Sequence, residues 1–202
     1  MSNYSRRMST LCRRGLRAAA AQLLACALLF LADGGYAQSA AGASGYADEA
    51  RDWGIAPTSR LRQQPYHGPT PLTLPGAQVV QTRELQAMLA SAVSPVLIDV
   101  LADEAHVTLA GAVWISGAGR GTNFLDPVQS VLEQLLAKLS HGDKARALVF
   151  FCASSQCWLS YNAALRAVTA DYEKVYWYRG GIEAWTAAGL PTARTAGGAA
   201  AR

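Results

Sequence analysis

The sequence predicts an α/β fold: a single domain built on a parallel five-stranded sheet with helices on both faces. Strand candidates alternate with helix candidates along the chain, and consecutive parallel strands require a crossover, which is usually a helix. Turn residues separate the candidates. The alternation extends from residue 75 to residue 192 of the 202-residue chain, a length that suits one domain.

Five short apolar runs are the strand candidates. Most of them are continuous runs rich in valine, isoleucine or aromatic residues, a pattern that favours strands buried on both faces of the sheet. They cover residues 77–80, 95–100, 112–115, 147–151 and 175–178.

Four segments between or after these runs are the helix candidates. Thr82 is placed to cap the first, and Asp126-Pro127 puts an acceptor and a proline at the start of the second. Gly189 ends the last helix and Pro191 prevents its return. The four helices are predicted over residues 82–89, 127–139, 158–169 and 182–188.

The charge of the chain is concentrated at its N-terminus. Residues 1–37 contain five arginines and one acidic residue, which accounts for the whole formal net charge of +4, so the remaining residues carry no net charge. A domain without excess positive charge has no electrostatic basis for binding a nucleic acid. We therefore expect no nucleic-acid partner.

Residues 1–37 are predicted to be a signal peptide. An arginine-rich stretch precedes an apolar run over residues 18–32, which is short for a transmembrane helix, and the small residues that end at Ala37 resemble a cleavage site. Cleavage would release a protein without a membrane segment into an oxidising compartment. The alternatives are a retained anchor, a lipoprotein signal at Cys26 or a twin-arginine signal.

Residues 38–74 are predicted to be a linker or N-terminal extension. The segment begins rich in alanine, glycine and serine and continues with several prolines, which break helices and inner strands. Tyr46, Trp53 and Tyr66 are expected to lay it along the domain surface. The small-residue tail over residues 193–202 is expected to be disordered.

Two of the four cysteines, Cys152 and Cys157, lie outside the signal segment and only five positions apart, so they form a local site. Cys152 directly follows the strand candidate 147–151 and precedes a short polar loop and a helix. Backbone N–H groups at such a junction favour an anion, here a thiolate. We therefore predict that Cys152 is a nucleophile. The alternative is a small buried hydrophobic residue.

The loop after Cys152 supplies the other candidate site residues. Its backbone amides are expected to stabilise a sulfur anion on Cys152, and its serine hydroxyls add further donors. The predicted substrate-binding residues are Ala153, Ser154, Ser155, Gln156 and Trp158. No cofactor is expected, and no metal site is predicted because no histidine lies near the two cysteines in the sequence.

Residues 180–191, which read G-G-I-E-A-W-T-A-A-G-L-P, resemble the C-terminal signature of the rhodanese superfamily. Residues 95–100 resemble the opening strand of that family, and residues 109–115 resemble its next strand. Cys152 falls where the family keeps its persulfide-forming cysteine. The resemblance covers roughly residues 75–192 and implies a single rhodanese-like domain with sulfurtransferase activity.

A narrower resemblance rests on the spacing of the two cysteines. The pattern Cys-x-x-x-x-Cys-Trp from Cys152 to Trp158, followed by S-Y-N-A-A over residues 160–164, is similar to the CXXCW motif proteins associated with PQQ-dependent alcohol catabolism. That likeness implies a periplasmic location, with which the signal peptide agrees. It also implies a periplasmic quinoprotein or c-type cytochrome system as partner, beside a sulfur or thiol donor and acceptor.

The sequence departs from the family where the family binds anions. Leu101 stands where rhodaneses usually carry arginine, and the loop A-S-S-Q has no arginine, the residue best suited to bidentate anion binding. Thiosulfate is therefore a doubtful substrate. A phosphatase is rejected, because the arginine that such a loop would need is Trp158 here.

Three roles remain open for Cys157. It resolves a persulfide or mixed disulfide on Cys152, or the pair cycles between dithiol and disulfide, or the pair is a permanent structural disulfide. The first role makes the protein a sulfurtransferase and the second a redox protein. The third makes it a non-catalytic binding module.

Three further polar residues have structural expectations. Asp99, at the end of the second strand candidate, is expected to act as a hydrogen-bond acceptor. His106 lies between the first two core strands, in a segment that could approach the mouth of the loop, and a structural role is expected over the alternative of a catalytic one. Arg179 is expected to lie at the surface, with hydrogen bonding to the active loop as the alternative.

Overall fold

The computed structural model describes residues 45–102, 104–195 and, for the backbone only, 199–200. The predicted signal peptide over residues 1–37 lies outside the described residues, as do its alternatives: a retained anchor, a lipoprotein signal at Cys26 and a twin-arginine signal. Within the described part of the chain, no helix has both the length and the apolar character needed to span a membrane.

The described residues form eight strands and four helices. In chain order they are β1 (Gln78–Val80), α1 (Thr82–Leu89), β2 (Val96–Asp99), β3 (Val107–Leu109), β4 (Val113–Ser116), α2 (Pro127–Leu139), β5 (Leu148–Phe151), α3 (Trp158–Thr169), β6 (Val175–Tyr178), α4 (Gly181–Ala187), β7 (Thr192–Arg194) and β8 (Ala199–Ala200).

Five strands form the predicted parallel sheet, in the order β1-β6-β5-β2-β4. The register places Asp99 beside Phe151, so β2 and β5 end at the same edge. The short strand β8 adds a sixth, parallel strand beside β4. This confirms a single α/β domain on a parallel sheet, and Cys152 therefore leaves the sheet at its carboxyl edge.

The helices cover both faces of the sheet, as predicted. Side chains alternate between the faces along a strand, so Phe150 and Trp177 pack with α2 and α3, whereas Phe151 and Tyr178 pack with α1 and α4. The strands β5 and β6 are almost completely buried because both faces are covered.

The first turns of α1 and α2 test the capping residues that the sequence predicted. Asp126 caps α2 as expected, since its carboxylate accepts from the Gln129 N–H at 3.1 Å and proline follows it. Thr82 does not cap α1. Gln81 is the N-cap, while the N–H and hydroxyl of Thr82 both donate to the buried Glu49 carboxylate, at 2.8 and 2.7 Å.

The tail differs from its expectation at its first residues. Ala193 and Arg194, expected to be disordered, lie in β7, which pairs antiparallel with β3. The Thr195 N–H donates to the His106 carbonyl at 2.9 Å and extends the pairing. Backbone hydrogen bonds to β3 order this segment, although its small side chains contribute little packing.

The N-terminal extension lies against the domain from residue 45 onward. Leu61 and Leu74 are buried in the core on the α3 face. The Tyr161 hydroxyl on α3 exchanges hydrogen bonds of 2.8 Å with the backbone of Thr58. The Asn162 amide does the same with the backbone of Arg62, at 2.8 and 2.9 Å. These bonds fix the extension across the N-terminal half of α3.

Candidate active site

Cys152 and Cys157 are joined as a disulfide at the carboxyl edge of the sheet. Cys152 follows the last residue of β5, and Cys157 is the N-cap of α3. Their Cα atoms are 6.3 Å apart, within the range of 4.4–6.8 Å that a disulfide requires. The loop between strand and helix therefore curls enough to bring the two predicted cysteines together.

Two backbone N–H groups of the loop make hydrogen bonds within the loop. Ser154 accepts from the Cys157 N–H through its carbonyl at 3.1 Å and from the Gln156 N–H through its hydroxyl at 3.3 Å. The backbone N–H groups of Gln156 and Cys157 are thus engaged inside the loop. Among the described residues, the N–H groups of residues 153–155 have no hydrogen-bond acceptor.

The start of α4 supports the loop from the other side. The N–H groups of Ile182 and Glu183 donate to the carbonyls of Cys152 and Ala153, at 3.0 and 2.9 Å. Gly181 has a φ of +59°, and a Cβ atom there would overlap the Cys152 carbonyl. The glycine pair of the C-terminal signature therefore permits the backbone of α4 to approach the cysteine loop closely.

A segment of the extension, which we call the strap (residues 66–70), covers the outside of the loop. It makes four hydrogen bonds to residues that the sequence predicted as substrate-binding. They are Gly68 N–H to the Gln156 carbonyl at 2.8 Å, Trp158 N–H to the Tyr66 carbonyl at 2.8 Å, Trp158 Nε1–H to the Pro69 carbonyl at 3.0 Å, and the Thr70 hydroxyl to the Ser155 carbonyl at 2.6 Å. The indole and backbone N–H groups of Trp158 are thereby used within the protein.

Arg179 is buried against the strap and bonds to it, which corrects the expectation that Arg179 lies at the surface. It is only 1% exposed. Its guanidinium donates to both the hydroxyl and the carbonyl of Thr70, at 3.0 and 3.1 Å, and to the carbonyls of Glu49 and Asp48, at 2.7 and 3.2 Å. Burial lowers the pKa of Arg179 against the opposing charges of Asp52 and Asp48. A cation is tolerated here because carbonyl oxygens surround it.

The two sulfur-bearing residues differ in access and in neighbours. Cys152 is 1% exposed and Cys157 is 7% exposed, so both residues are buried and Cys157 is slightly the more exposed of the two. The Ser160 hydroxyl lies 3.1 Å from the Cys152 sulfur and receives the Trp177 indole N–H at 2.9 Å. No local sequence signal marks Ser160, because its contact with Cys152 depends on the curled loop between β5 and α3.

Aromatic rings wall the site on the sheet side. Tyr161 packs against Trp158 and Trp177, with ring centroids 4.9 and 5.1 Å apart. Burial raises the pKa of Tyr161, although the hydrogen bond from the Thr58 N–H opposes the shift. These rings belong to the same buried apolar cluster as both cysteines.

His106 belongs to a separate cluster. Asp99 is fully buried and accepts from His106 Nε2 at 2.8 Å, from the Thr108 hydroxyl at 2.6 Å and from the Leu101 N–H at 2.9 Å. Asp99 alternates along β2 with Ile98 and therefore faces α1 and α4, whereas Cys152 packs in the core on the α2 and α3 face. Asp99 is the structural acceptor that the sequence indicated, and His106 is its partner.

The described residues contain no group of three or more histidine, cysteine, aspartate or glutamate side chains arranged to hold a metal ion. The chemistry that this edge of the sheet offers is that of the two sulfur atoms, the loop amides and the Ser160 hydroxyl.

Comparison with known proteins gives a family match and several similar folds. The protein-family profile described as "Rhodanese-like domain" matches residues 81–188. No curated protein matches the chain. Among solved structures, a thiosulfate sulfurtransferase from Pseudomonas aeruginosa is 18% identical, with a TM-score of 0.44, over 61% of this chain and 21% of its own.

Two further solved structures are similar over a larger share of their own length. The As-Sb reductase from Leishmania major is 21% identical with a TM-score of 0.43, over 56% of this chain and 79% of its own. The polysulfide-sulfur transferase from Wolinella succinogenes is 18% identical with a TM-score of 0.41, over 58% and 79% respectively. At these identities the likeness concerns the fold, and the substrates in those names belong to those proteins.

Proposed function

The chain belongs to the rhodanese-like domain family, and from this premise we propose that it is an exported sulfur-handling thiol protein. In this proposal Cys152 is the nucleophile that takes up sulfane sulfur as a persulfide, and Cys157 is the thiol that resolves it. The observation that carries the proposal is the bonded pair itself, which lies at the carboxyl edge of the sheet between β5 and α3.

The uptake step begins with the reduced pair. The Cys152 thiolate attacks the outer sulfur of a donor persulfide, R–S–SH, so that a bond forms between the two sulfur atoms. The donor S–S bond breaks, and RS⁻ leaves with the electron pair. Cys152 then carries a persulfide, which in this proposal the backbone amides of residues 153–155 stabilise as an anion.

Two fates follow for the persulfide. An acceptor thiolate attacks its outer sulfur, takes that sulfur and regenerates the Cys152 thiolate. In the absence of an acceptor, the Cys157 thiolate attacks the inner sulfur, the S–SH bond breaks, and HS⁻ leaves with the electron pair. The second route produces the Cys152–Cys157 disulfide, which a dithiol reductant reopens while it is itself oxidised to a disulfide.

The donor is proposed to be a persulfide or polysulfide and not thiosulfate. Thiosulfate carries two negative charges, and no cationic side chain is present in the loop from Ala153 to Gln156. The buried guanidinium of Arg179 donates to the hydroxyl and the carbonyl of Thr70 in the strap and to the carbonyl of Glu49. A donor with less charge loses less solvation on entering this apolar site.

A second candidate function is thiol–disulfide exchange without sulfur transfer. It is favoured by the difference in exposure between Cys157 and Cys152 and by the strap, which already occupies the loop carbonyls and the N–H groups of Trp158. In that function the pair cycles between dithiol and disulfide with an external dithiol. A rhodanese-like binding module with a permanent disulfide is the remaining alternative.

Location and partner extend the proposal. We propose that residues 1–37 direct export to the periplasm and that the protein serves a quinoprotein or c-type cytochrome system there. The support is the arginine-rich and apolar pattern of residues 1–37 and the resemblance of the Cys152–Trp158 segment to CXXCW motif proteins. Fractionation of cells with N-terminal sequencing of the isolated protein tests the export, and a protein that retains residue 1 in the cytoplasm would overturn it.

Mass spectrometry of the reduced protein after incubation with a small persulfide donor tests the function. We expect the mass of one sulfur atom to be added on Cys152 in the Cys157→Ser variant, where resolution is blocked. We expect none in Cys152→Ser. In the protein with both cysteines we expect transient sulfur gain followed by the disulfide and released sulfide.

Each outcome supports one of the three candidate functions. Sulfur gain that is lost in Cys152→Ser supports sulfur transfer. Absence of sulfur gain, with a disulfide that a dithiol reductant opens readily, supports the exchange protein instead. Absence of sulfur gain with a disulfide that resists such reductants under native conditions leaves the binding module.

A further inference from the structure

Ser160 is the polar side chain held closest to the Cys152 sulfur. It lies in the first turn of α3, is 1% exposed, and places its hydroxyl oxygen 3.1 Å from that sulfur. The same oxygen lies 3.4 Å from the Cys157 carbonyl. It therefore sits between the two residues of the disulfide, with no access to bulk water.

The neighbours of the Ser160 hydroxyl determine which hydrogen bonds it accepts and donates. The Trp177 indole N–H points at the Ser160 oxygen over 2.9 Å, and an indole nitrogen only donates. That bond uses Ser160 as an acceptor, and in the disulfide form its single proton is donated to the Cys157 carbonyl over 3.4 Å, from which rotation of the hydroxyl can turn it to the Cys152 sulfur. The two acceptors within reach are the Cys152 sulfur and, at the longer distance, the Cys157 carbonyl.

We propose that Ser160 is a catalytic residue that stabilises the Cys152 thiolate by donating its hydroxyl proton, and that Trp177 is a positioning residue that orients this hydroxyl. The inference rests on the proposed reactivity of Cys152. Burial disfavours a thiolate, and a directed hydroxyl donor offsets that cost. A hydroxyl donor matters most when the disulfide is reduced, because the Cys152 sulfur then becomes an anion.

The same contact assigns the two sulfurs to different roles in reduction. An incoming thiolate of a dithiol forms a bond with the sulfur of Cys157, the more exposed residue of the pair. The Cys152–Cys157 bond breaks, and its electron pair stays on Cys152, where Ser160 donates to it. The second thiol of the reductant then displaces Cys157 and leaves as the oxidised dithiol.

Other titratable groups near the site do not make this contact. The Tyr161 hydroxyl on α3 bonds to the backbone of Thr58, and the Arg179 guanidinium after β6 bonds to the strap and the extension. His67 on the strap and Glu183 on α4 are exposed.

The test is the pH titration of the thiolate by its ultraviolet absorbance in the Cys157→Ser background, where the site contains a single thiol. We expect Ser160→Ala to move the midpoint upward by about one pH unit, the scale of one charge-assisted hydrogen bond. Trp177→Phe should move it in the same direction by less. Ser160→Thr, which keeps the hydroxyl, should restore the midpoint.

Ser140→Ala is the matched control, because Ser140 is an equally buried serine whose hydroxyl bonds to Tyr172 away from the site, at 3.2 Å. Its midpoint should not move. An unchanged midpoint in Ser160→Ala, or an equal shift in Ser140→Ala, would overturn the inference. Failure of sulfur transfer is a separate result, because it leaves this titration unaffected.

Discussion

The backbone N–H of Ile182 donates a 3.0 Å hydrogen bond to the carbonyl oxygen of Cys152. This bond joins the first turn of α4 to the residue that leaves β5. The glycine before Ile182 has no side chain to separate the two backbones. The glycine signature and the cysteine loop, about 30 residues apart in sequence, are therefore one structural unit.

Gly181→Ala should test this unit. A residue with a side chain at φ +59° loses about 1–2 kcal/mol, and overlap of its Cβ with the Cys152 carbonyl adds about 1–3 kcal/mol. Gly189→Ala is the control, because its φ is +68° but open space surrounds the new Cβ. Urea unfolding should show the larger loss for Gly181→Ala. Equal losses would mean that the contact with Cys152 is unimportant.

Reduction of the disulfide should destabilise the protein modestly. The bond joins residues only five positions apart, and a loop this short corresponds to about 2 kcal/mol of lost chain entropy in the unfolded state. Urea unfolding with and without a reductant measures the difference. A Cys152→Ala/Cys157→Ala double variant should show no response to the reductant. If the reductant also leaves the stability of the wild-type protein unchanged, the two cysteines are already reduced in solution.

Arg179→Met should release the strap. The change removes the Arg179 donors from four oxygen atoms, three of them in buried contacts, at a cost of at least ~2 kcal/mol in the free energy of unfolding. Limited proteolysis should then cut within residues 45–70 before the domain unfolds. Arg194→Met, at an exposed position in β7, is the control and should leave this segment protected. Protection in both variants would contradict the role assigned to Arg179.

Asp126 should make the protein acid-sensitive. Burial raises the pKa of Asp126, but hydrogen bonds from Arg166 and from the N–H groups of Gln129 and Thr122 outweigh burial and hold the pKa below its usual range. A folded-state pKa below the unfolded value of about 4 stabilises the protein above that pH. The stabilisation is lost as the pH falls through the folded-state pKa.

Urea unfolding between about pH 6 and pH 2 measures this dependence. Asp126→Asn should be less stable than wild type at neutral pH and should lose less stability on acidification. Asp143→Asn, which changes an exposed carboxylate whose oxygen only accepts from the Ala145 N–H, is the control. If the free energy of unfolding falls equally on acidification in wild type and in Asp126→Asn, Asp126 is not the cause of the acid sensitivity.

The sequence by itself determined the four helices, the five strands β1, β2, β4, β5 and β6, and the place of Cys152 after β5, but it did not indicate β3, β7 or β8. Continuous apolar runs with turns between them identify strands whatever packs around them, and the run over residues 147–151 ends directly at Cys152. The parallel sheet, the helices on both faces and the position of Cys152 at the carboxyl edge follow from that pattern. Asp126-Pro127 likewise starts a helix by local hydrogen bonding alone.

Only the tertiary structure decided what surrounds the sulfur atoms. The strap and Arg179 meet across more than 100 positions of sequence, and the strap has no periodic pattern because it is held by single hydrogen bonds and not by a repeated ladder. Ser160 and Trp177 meet through a fold of the chain between α3 and β6. Such contacts depend on the geometry of the whole sheet, so no local preference of their residues encodes them.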